Sequence, residues 1–319
     1  MLGTRATRRR VLKRLGLALL ALLVLLLAAA FALRQFLEYF GRAAHNVVEI
    51  EIAGRHVAVW KPAGGAPPEG YPVVLFSHGF MGCGVQSVFL TQGLARAGYF
   101  VLAPDHRDAA CGRSHEGRIF ERLSTIRSEE PFHSPSTWSA ATYRDRGADL
   151  EAILDTILKN KSFQGVPIDA GRIGLAGHSL GGYTVLALAG AWPSWKDHRV
   201  KAVLALSPYC TPFIAKGDLE HLNIPVMYQG GTLDFGVTPF VRRAGGAYDL
   251  TSSPKYFIEL DGAGHLAWTN LNRSYQSVVN EYAIAFFDQY LKARVDVDPL
   301  AKLLGRPWPD DVKELRYAR

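Results

Sequence analysis

Cysteine is scarce in this chain: three residues in 319, Cys83, Cys111 and Cys210. An odd number excludes a fully paired disulfide framework. With no CxxC pair and no Cys/His cluster, nothing in the pattern suggests a metal site, and no metal or other cofactor is expected. Acidic residues are missing from the first fourteen positions, which hold Arg5, Arg8, Arg9, Arg10, Lys13 and Arg14. Subtracting these six charges from the net +7 leaves +1 for the remaining 305 residues. A basic balance of the kind that marks nucleic-acid binding is therefore missing from the body of the chain, and no nucleic-acid partner is expected. Internal repeats and low-complexity tracts are also lacking beyond the leader.

What is present at the N-terminus is a charge-free apolar run, "LGLALLALLVLLLAAAFAL", from Leu15 to Leu33. Its nineteen residues would rise roughly 28 Å as a helix, close to the hydrocarbon thickness of a bilayer. It has no polar face, as an edge helix of a globular domain would have. The expectation is a basic cytoplasmic n-region over 1–14 and a transmembrane signal anchor over 15–33. The basic flank keeps the N-terminus in the cytoplasm, so a single-pass anchor puts the rest outside. The alternative is an exported soluble protein, cleaved at the Ala30-Phe31-Ala32 pattern. "TRRRVLK" (Thr7 to Lys13) also resembles a twin-arginine export motif. Residues 34–46 read as a juxtamembrane linker.

From Val47 to Trp60, apolar and polar residues alternate around Ala53-Gly54, which predicts a β-hairpin. Strand-like and helix-like segments then take turns. "YPVVLFSHG", "FVLAPDH", "GRIGLAGHS", "VKAVLALSPY", "NIPVMYQGG" and "KYFIELDGAG" read as strands. Helical patterns lie between and after them, including "SAATYRDRGADLEAILDTILKN" and a closing "SYQSVVNEYAIAFFDQYLKA". Near-continuous apolar strands separated by helices predict an α/β fold, with a mostly parallel central sheet covered by helices on both faces. The domain is expected over 47–293, with 294–319 as a C-terminal surface tail. Residues Asp108 to Tyr143 form a long connection, expected to make a partial lid or pocket wall.

In such a sheet, ligands sit beyond the carboxyl ends of the strands. Gly177-His178-Ser179-Leu180-Gly181 fits G-x-S-x-G at a strand-to-helix turn, where small neighbours allow a serine hydroxyl to stand exposed. A serine hydroxyl needs a base to become a nucleophile, and the base needs an orienting acid. Downstream, His198 and His221 fall in polar connections, whereas His265 follows the last predicted strand. Asp234 lies just past the end of "IPVMYQGG"; Asp218 is at the opposite edge and Asp261 is too near His265. Ser179, Asp234 and His265 are the candidate catalytic residues. An oxyanion would need two backbone donors. The Leu180 N–H and, from the loop after "VVLFSHG", the Phe80 N–H are expected, with Met81 the next candidate. Met81, Trp138 and Trp268, with Phe132, are candidate substrate-pocket residues. Cys83 and Cys111 follow two strands at one edge of the sheet, so a bridge between them is possible and would fix the loop carrying Phe80; Cys210, after a third strand, leaves the pairing open.

With "FSHGF", "DHRD" and "GHSLGG" in this order, the chain resembles the α/β-hydrolase superfamily over Val47 to Ala293. Within it, the motifs look like those of the platelet-activating-factor acetylhydrolase and dienelactone-hydrolase-like branch, which is also similar to bacterial lipases and polyester hydrolases. The resemblance implies a cofactor-free serine carboxylic-ester hydrolase that acts through an acyl-enzyme on a small-molecule or lipid ester. It carries the triad onto Ser179, Asp234 and His265, and the oxyanion donors onto Phe80 and Leu180. Two departures stand out: dienelactone hydrolases proper use a cysteine nucleophile, and the apolar leader is not a superfamily feature. An amidase or peptidase of the same fold, or a binding protein without catalysis, are the alternatives.

Overall fold

The computed structural model describes residues 13–28, 47–111, 129–216, 218–292 and 298–319. The chain divides into two compact units, Met1–Ala43 and Ala44–Arg319. In the first, residues 13–28 are helical with exposed leucines. That is about 24 Å of rise. Among the described residues no helix is long and apolar enough to cross a membrane. The expected anchor over 15–33 is described only as far as Ala28. Residues 29–33 of that stretch, the Ala30-Phe31-Ala32 pattern and the 34–46 linker lie outside the described residues, as does all of the twin-arginine motif except Lys13.

The second unit is built on a ten-stranded sheet. Strands β1 (Val48–Ile52) and β2 (Arg55–Trp60) form the expected hairpin. Its turn places Ala53 and Gly54 at positive φ, 52° and 72°. The remaining strands are β3 (Tyr71–Ser77), β4 (Phe100–Pro104), β5 (Ser162–Phe163), β6 (Val166–His178), β7 (Val200–Leu206), β8 (Val226–Gly231), β9 (Lys255–Leu260) and β10 (Val312–Ala318). The order across the sheet is β1-β2-β4-β3-β6-β7-β8-β9-β10, and β5 pairs with β6 alone. From β4 to β9 every neighbouring pair is parallel. Along that order the antiparallel pairs lie at the rims, where β1 meets β2, β2 meets β4 and β10 meets β9, and the short β5 is antiparallel to β6.

Alternation along the strands feeds two apolar layers. Val73, Leu75, Leu102, Leu175 and Val203 join one buried cluster with Leu150, Ile153 and Leu154 of helix α2 (Arg144–Ile157) and Leu180 and Val185 of helix α3 (Leu180–Leu186). On the other side, Gly174 faces Phe287 and Leu291 of helix α4 (Gln276–Leu291), and a Cβ there would come within 2.7 Å of both side chains. Gly93 of helix α1 (Val88–Arg96) sits as closely on Asn280 of α4. Helices therefore cover both faces, as the continuous apolar strands require.

One boundary differs from expectation. The segment read as a surface tail contains a helical turn, Pro299–Leu304, and all of β10, which runs beside β9 with Leu315 opposite Ile258. "VKELRYA" mixes charged with apolar residues because an edge strand keeps one side in water. That pattern resembles a solvated tail until its neighbour is known.

Candidate active site

β6 ends at His178, and α3 begins two residues later at Leu180. Ser179, between them, has φ 55° and ψ −116°, a backbone conformation that is costly for a residue with a Cβ. It is held by three hydrogen bonds: its N–H donates to Leu206 O (3.0 Å), and its carbonyl accepts from Tyr183 N (3.1 Å) and Tyr209 N (3.0 Å). Glycine is required on both sides. A Cβ at Gly177 would lie 2.3 Å from Gly181 O, and one at Gly181 would lie 1.9 Å from Ser77 O. The start of α3 is therefore pressed directly onto the end of β3.

The Ser179 hydroxyl lies 2.9 Å from His265 Nε2, and His265 Nδ1 lies 3.1 Å from Asp234 Oδ1. With the proton on Nδ1, that nitrogen donates to the carboxylate and Nε2 is left to accept from the serine. Asp234 follows β8, His265 follows β9 and Ser179 follows β6, so the three meet at one rim of the sheet. Asp234 is 3% exposed. Burial works against its ionised form, but hydrogen bonds from His265, Ser207 and Thr238 and the charge of His265 outweigh it, leaving its pKa below the ordinary value. The carboxylate is thus kept charged where it faces the imidazole.

Two of those donors escaped the sequence reading. Ser207, directly after β7, donates its hydroxyl to Asp234 Oδ2, and its Oγ also lies 2.9 Å from His265 Nδ1. Thr238 Oγ1 donates to the same Asp234 oxygen at 2.9 Å and accepts from Gly231 N at 3.0 Å. The available signal was position: a serine immediately past a strand at the rim where ligands bind.

A second network joins the loop after β3 to the loop after β9. Gly79 N donates to Gln86 Oε1 (2.9 Å), and Gln86 Nε2 donates to His178 Nδ1 (3.0 Å). His178 Nε2 then donates to the His265 carbonyl (2.9 Å). Burial, with the neighbouring His265, lowers the His178 pKa to about 3, so its ring is a neutral link. Around Gly79, the Met81 N–H is taken by Asp108 Oδ2 at 3.2 Å. Met81 is therefore not free to serve as a donor. Among the described residues, the Phe80 and Leu180 amides have no internal acceptor.

A cleft of about 520 Å³ opens over Ser179 and His265, with Phe80, Phe132, Tyr209, Val237 and Leu266 among its walls. Tyr209 Oη donates to Phe132 O at 2.6 Å, bracing one wall. Of the proposed pocket residues, Phe132 is in the wall and the other three are not. Trp138 is fully buried behind it, with ring centres 5.5 Å from Phe132 and 4.7 Å from Tyr209. Trp268 is also fully buried and donates Nε1 to Gln229 Oε1 at 3.1 Å. Large aromatics near a site are drawn into the core by their area, which spacing alone does not reveal. The described end of the long connection does wall the cleft through Phe132 and His133; residues 112–128 lie outside the described residues. Cys83 and Cys111 are joined in a disulfide, and Cys210 is a buried free thiol whose pKa burial raises to about 12. Among the described residues, no group of three or more His, Cys, Asp or Glu is placed to hold a metal.

Comparison with known proteins places the chain. It is 30% identical to Cutinase 2 of Thermobifida cellulosilytica over 169 residues, covering 52% of this chain and 58% of that one. Cutinase cut1 of Thermobifida fusca is likewise 30% identical over 169 residues, covering 52% and 47%. Platelet-activating factor acetylhydrolase of Cavia porcellus is 25% identical over 181 residues, covering 49% and 38%. The chain spans about half the length of the curated relatives it matches. The model of the alpha/beta hydrolase family matches residues 74–316, from β3 into β10. On that match, the chain belongs to the alpha/beta hydrolase family.

Proposed function

We propose that the protein is a serine hydrolase of carboxylic esters. One observation carries the reading: the Ser179 hydroxyl lies 2.9 Å from His265 Nε2 while the same imidazole is held by a buried Asp234, on the floor of an open apolar cleft. In the reaction, His265 takes the Ser179 proton as Oγ attacks the ester carbonyl. Asp234 stabilises the imidazolium. The carbonyl oxygen becomes an oxyanion received by the Phe80 and Leu180 amides, each worth about 3 kcal/mol of transition-state stabilisation. His265 returns its proton to the leaving alcohol, and a water activated by the same imidazole releases the acid from Ser179. The likeness to cutinases and to an acetylhydrolase supports ester over amide substrates. The apolar walls favour a substrate with a hydrocarbon portion next to the scissile bond.

The catalytic unit then runs from Val47 to Ala318, and the segment ahead of it acts as an export leader. Its basic start and apolar run support this, as does the Cys83–Cys111 bridge, which belongs in an oxidising compartment. A chain-length series of p-nitrophenyl esters, run beside Ser179→Ala and fluorophosphonate labelling, tests the activity. Turnover is expected to vanish and labelling to be lost in the variant. Undiminished hydrolysis by Ser179→Ala would overturn the reading.

A further inference from the structure

Away from the reacting groups, one buried cation reaches both segments that carry the expected oxyanion donors. Arg146, on α2, has a side chain with 0% exposure. Its Nη1 donates to Asp108 Oδ1, and its Nη2 donates to the His78 carbonyl and lies 3.4 Å from Ser77 Oγ. Its Nε donates to Thr184 Oγ1 at 3.2 Å. Thr184 belongs to α3 and donates in turn to Leu180 O at 3.0 Å. Asp108 accepts from Met81 N through its other oxygen, at 3.2 Å.

Resting on the reading of Ser179 as nucleophile, we propose that Arg146 and Asp108 are positioning residues that set the spacing and direction of the two oxyanion donors. Phe80 is gripped on each side: His78 O, two residues before, is held by the guanidinium, and Met81 N, one residue after, by the carboxylate. Met81 sits at φ 58°, in the left-handed region that a non-glycine residue enters at a cost. The Asp108 acceptor fixes its amide there. With that amide engaged, the neighbouring Phe80 N–H, without an internal acceptor among the described residues, is the one left for the oxyanion. The same guanidinium reaches α3 through Thr184, so the helix carrying the Leu180 N–H is tied to the loop carrying Phe80. A planar fork with donors in fixed directions can hold three acceptors at once, whereas an ammonium cannot hold the same geometry. Taking both ions out of water offsets most of their attraction. The pair's net contribution to stability is therefore much smaller than its bare attraction, and what the site takes from it is direction. Other groups facing it are His78, a neutral ring whose pKa burial lowers to about 3, and His106, whose Nε2 lies 2.9 Å from Ser77 Oγ and whose Nδ1 lies 2.9 Å from Asp149.

The test uses the full chain with Asp108→Asn and Arg146→Lys. Three readings are taken: kcat and KM on a p-nitrophenyl ester, inhibition by an alkyl trifluoromethyl ketone, and fluorophosphonate labelling. In the ketone adduct Ser179 Oγ bonds to the carbonyl carbon, His265 takes the proton and the ketone oxygen becomes an oxyanion in the same hole. A drop in kcat of about 10- to 100-fold is expected with KM within twofold, and ketone inhibition should weaken by a matching factor. Labelling should still run to completion. Thermal melts identify a variant that has not folded; if Arg146→Lys is one, Asp108→Asn carries the test. Unchanged kcat and ketone inhibition in folded Asp108→Asn, whatever its melting temperature, would overturn the proposal. Failure of the wild-type chain to label would instead overturn the assignment of Ser179 itself.

Discussion

Gly181→Ala tests the architecture of the site at its tightest point. The added Cβ would sit 1.9 Å from Ser77 O, 2.5 Å from Ser77 C and 2.7 Å from His78 O, where side-chain carbons essentially never come closer than 3.0 Å. All three obstacles are backbone, and none can rotate away. The start of α3 must therefore withdraw from β3 by about 1.1 Å. Overpacking of this kind costs about 1–3 kcal/mol in stability. The larger effect falls on chemistry. Leu180 N and Ser179 Oγ travel with the helix while His265 and the Phe80 loop stay with β9 and β3. A displacement near 1 Å costs about 100-fold in rate. The assay is steady-state hydrolysis of p-nitrophenyl butyrate, normalised by fluorophosphonate titration, beside a thermal melt. Gly65→Ala is the control, because a Cβ there meets nothing within 4 Å. Native kcat and melting temperature in Gly181→Ala would refute the reasoning, since the helix could then tolerate a separation that the site is argued not to allow.

Four other outcomes follow from the same geometry. Ser207→Ala removes a donor to the charged Asp234, worth about 1.5–3 kcal/mol; kcat should fall roughly 10- to 100-fold with KM steady, and an unchanged kcat in steady-state assays contradicts this. Gln86→Leu strands the Gly79 amide and His178 Nδ1, so a urea titration should register a loss of about 1–3 kcal/mol for each buried group left unpaired. Opening the Cys83–Cys111 bridge by Cys83→Ser and Cys111→Ser releases a 28-residue separation, for which loop entropy gives about 3–4 kcal/mol of lost stability; identical urea midpoints in the double variant and the oxidised protein would contradict it. Burial opposes the Asp108 carboxylate, but Arg146 lowers its pKa from 3.8 to about 2. A depressed carboxylate stabilises the fold above its unfolded pKa and loses that contribution as pH falls through the folded one. About 2 kcal/mol should therefore disappear on acidification across this interval. Asp108→Asn should flatten that part of the urea-midpoint profile against pH.

Much of this was legible because each informative residue carries its own local signal. "YPVVLFS" is buried throughout and "VKAVLAL" everywhere except Lys201, so they read as near-continuous apolar strands without knowledge of their neighbours. Ser179, Asp234 and His265 could be singled out as candidates because each lies just past such a strand and the sheet directs those ends to one rim. The sequence was silent where meaning comes from convergence. Arg146 looks like one more charge on an amphipathic helix, and only its contacts with Asp108, His78 and Thr184 distinguish it. Ser207 and Gln86 are ordinary polar residues until the loops bring them to His265 and His178.

Placing β10 at the rim has a practical side for anyone preparing this protein. A clone cut at residue 293, where the periodic helical pattern ends, would strip the outermost rung and leave Lys255–Leu260 with an unpaired backbone edge. Such an edge is a template for a second molecule, and precipitation would pass for intrinsic insolubility. Expression boundaries therefore belong past Ala318, with any affinity handle spaced away from it by a flexible spacer.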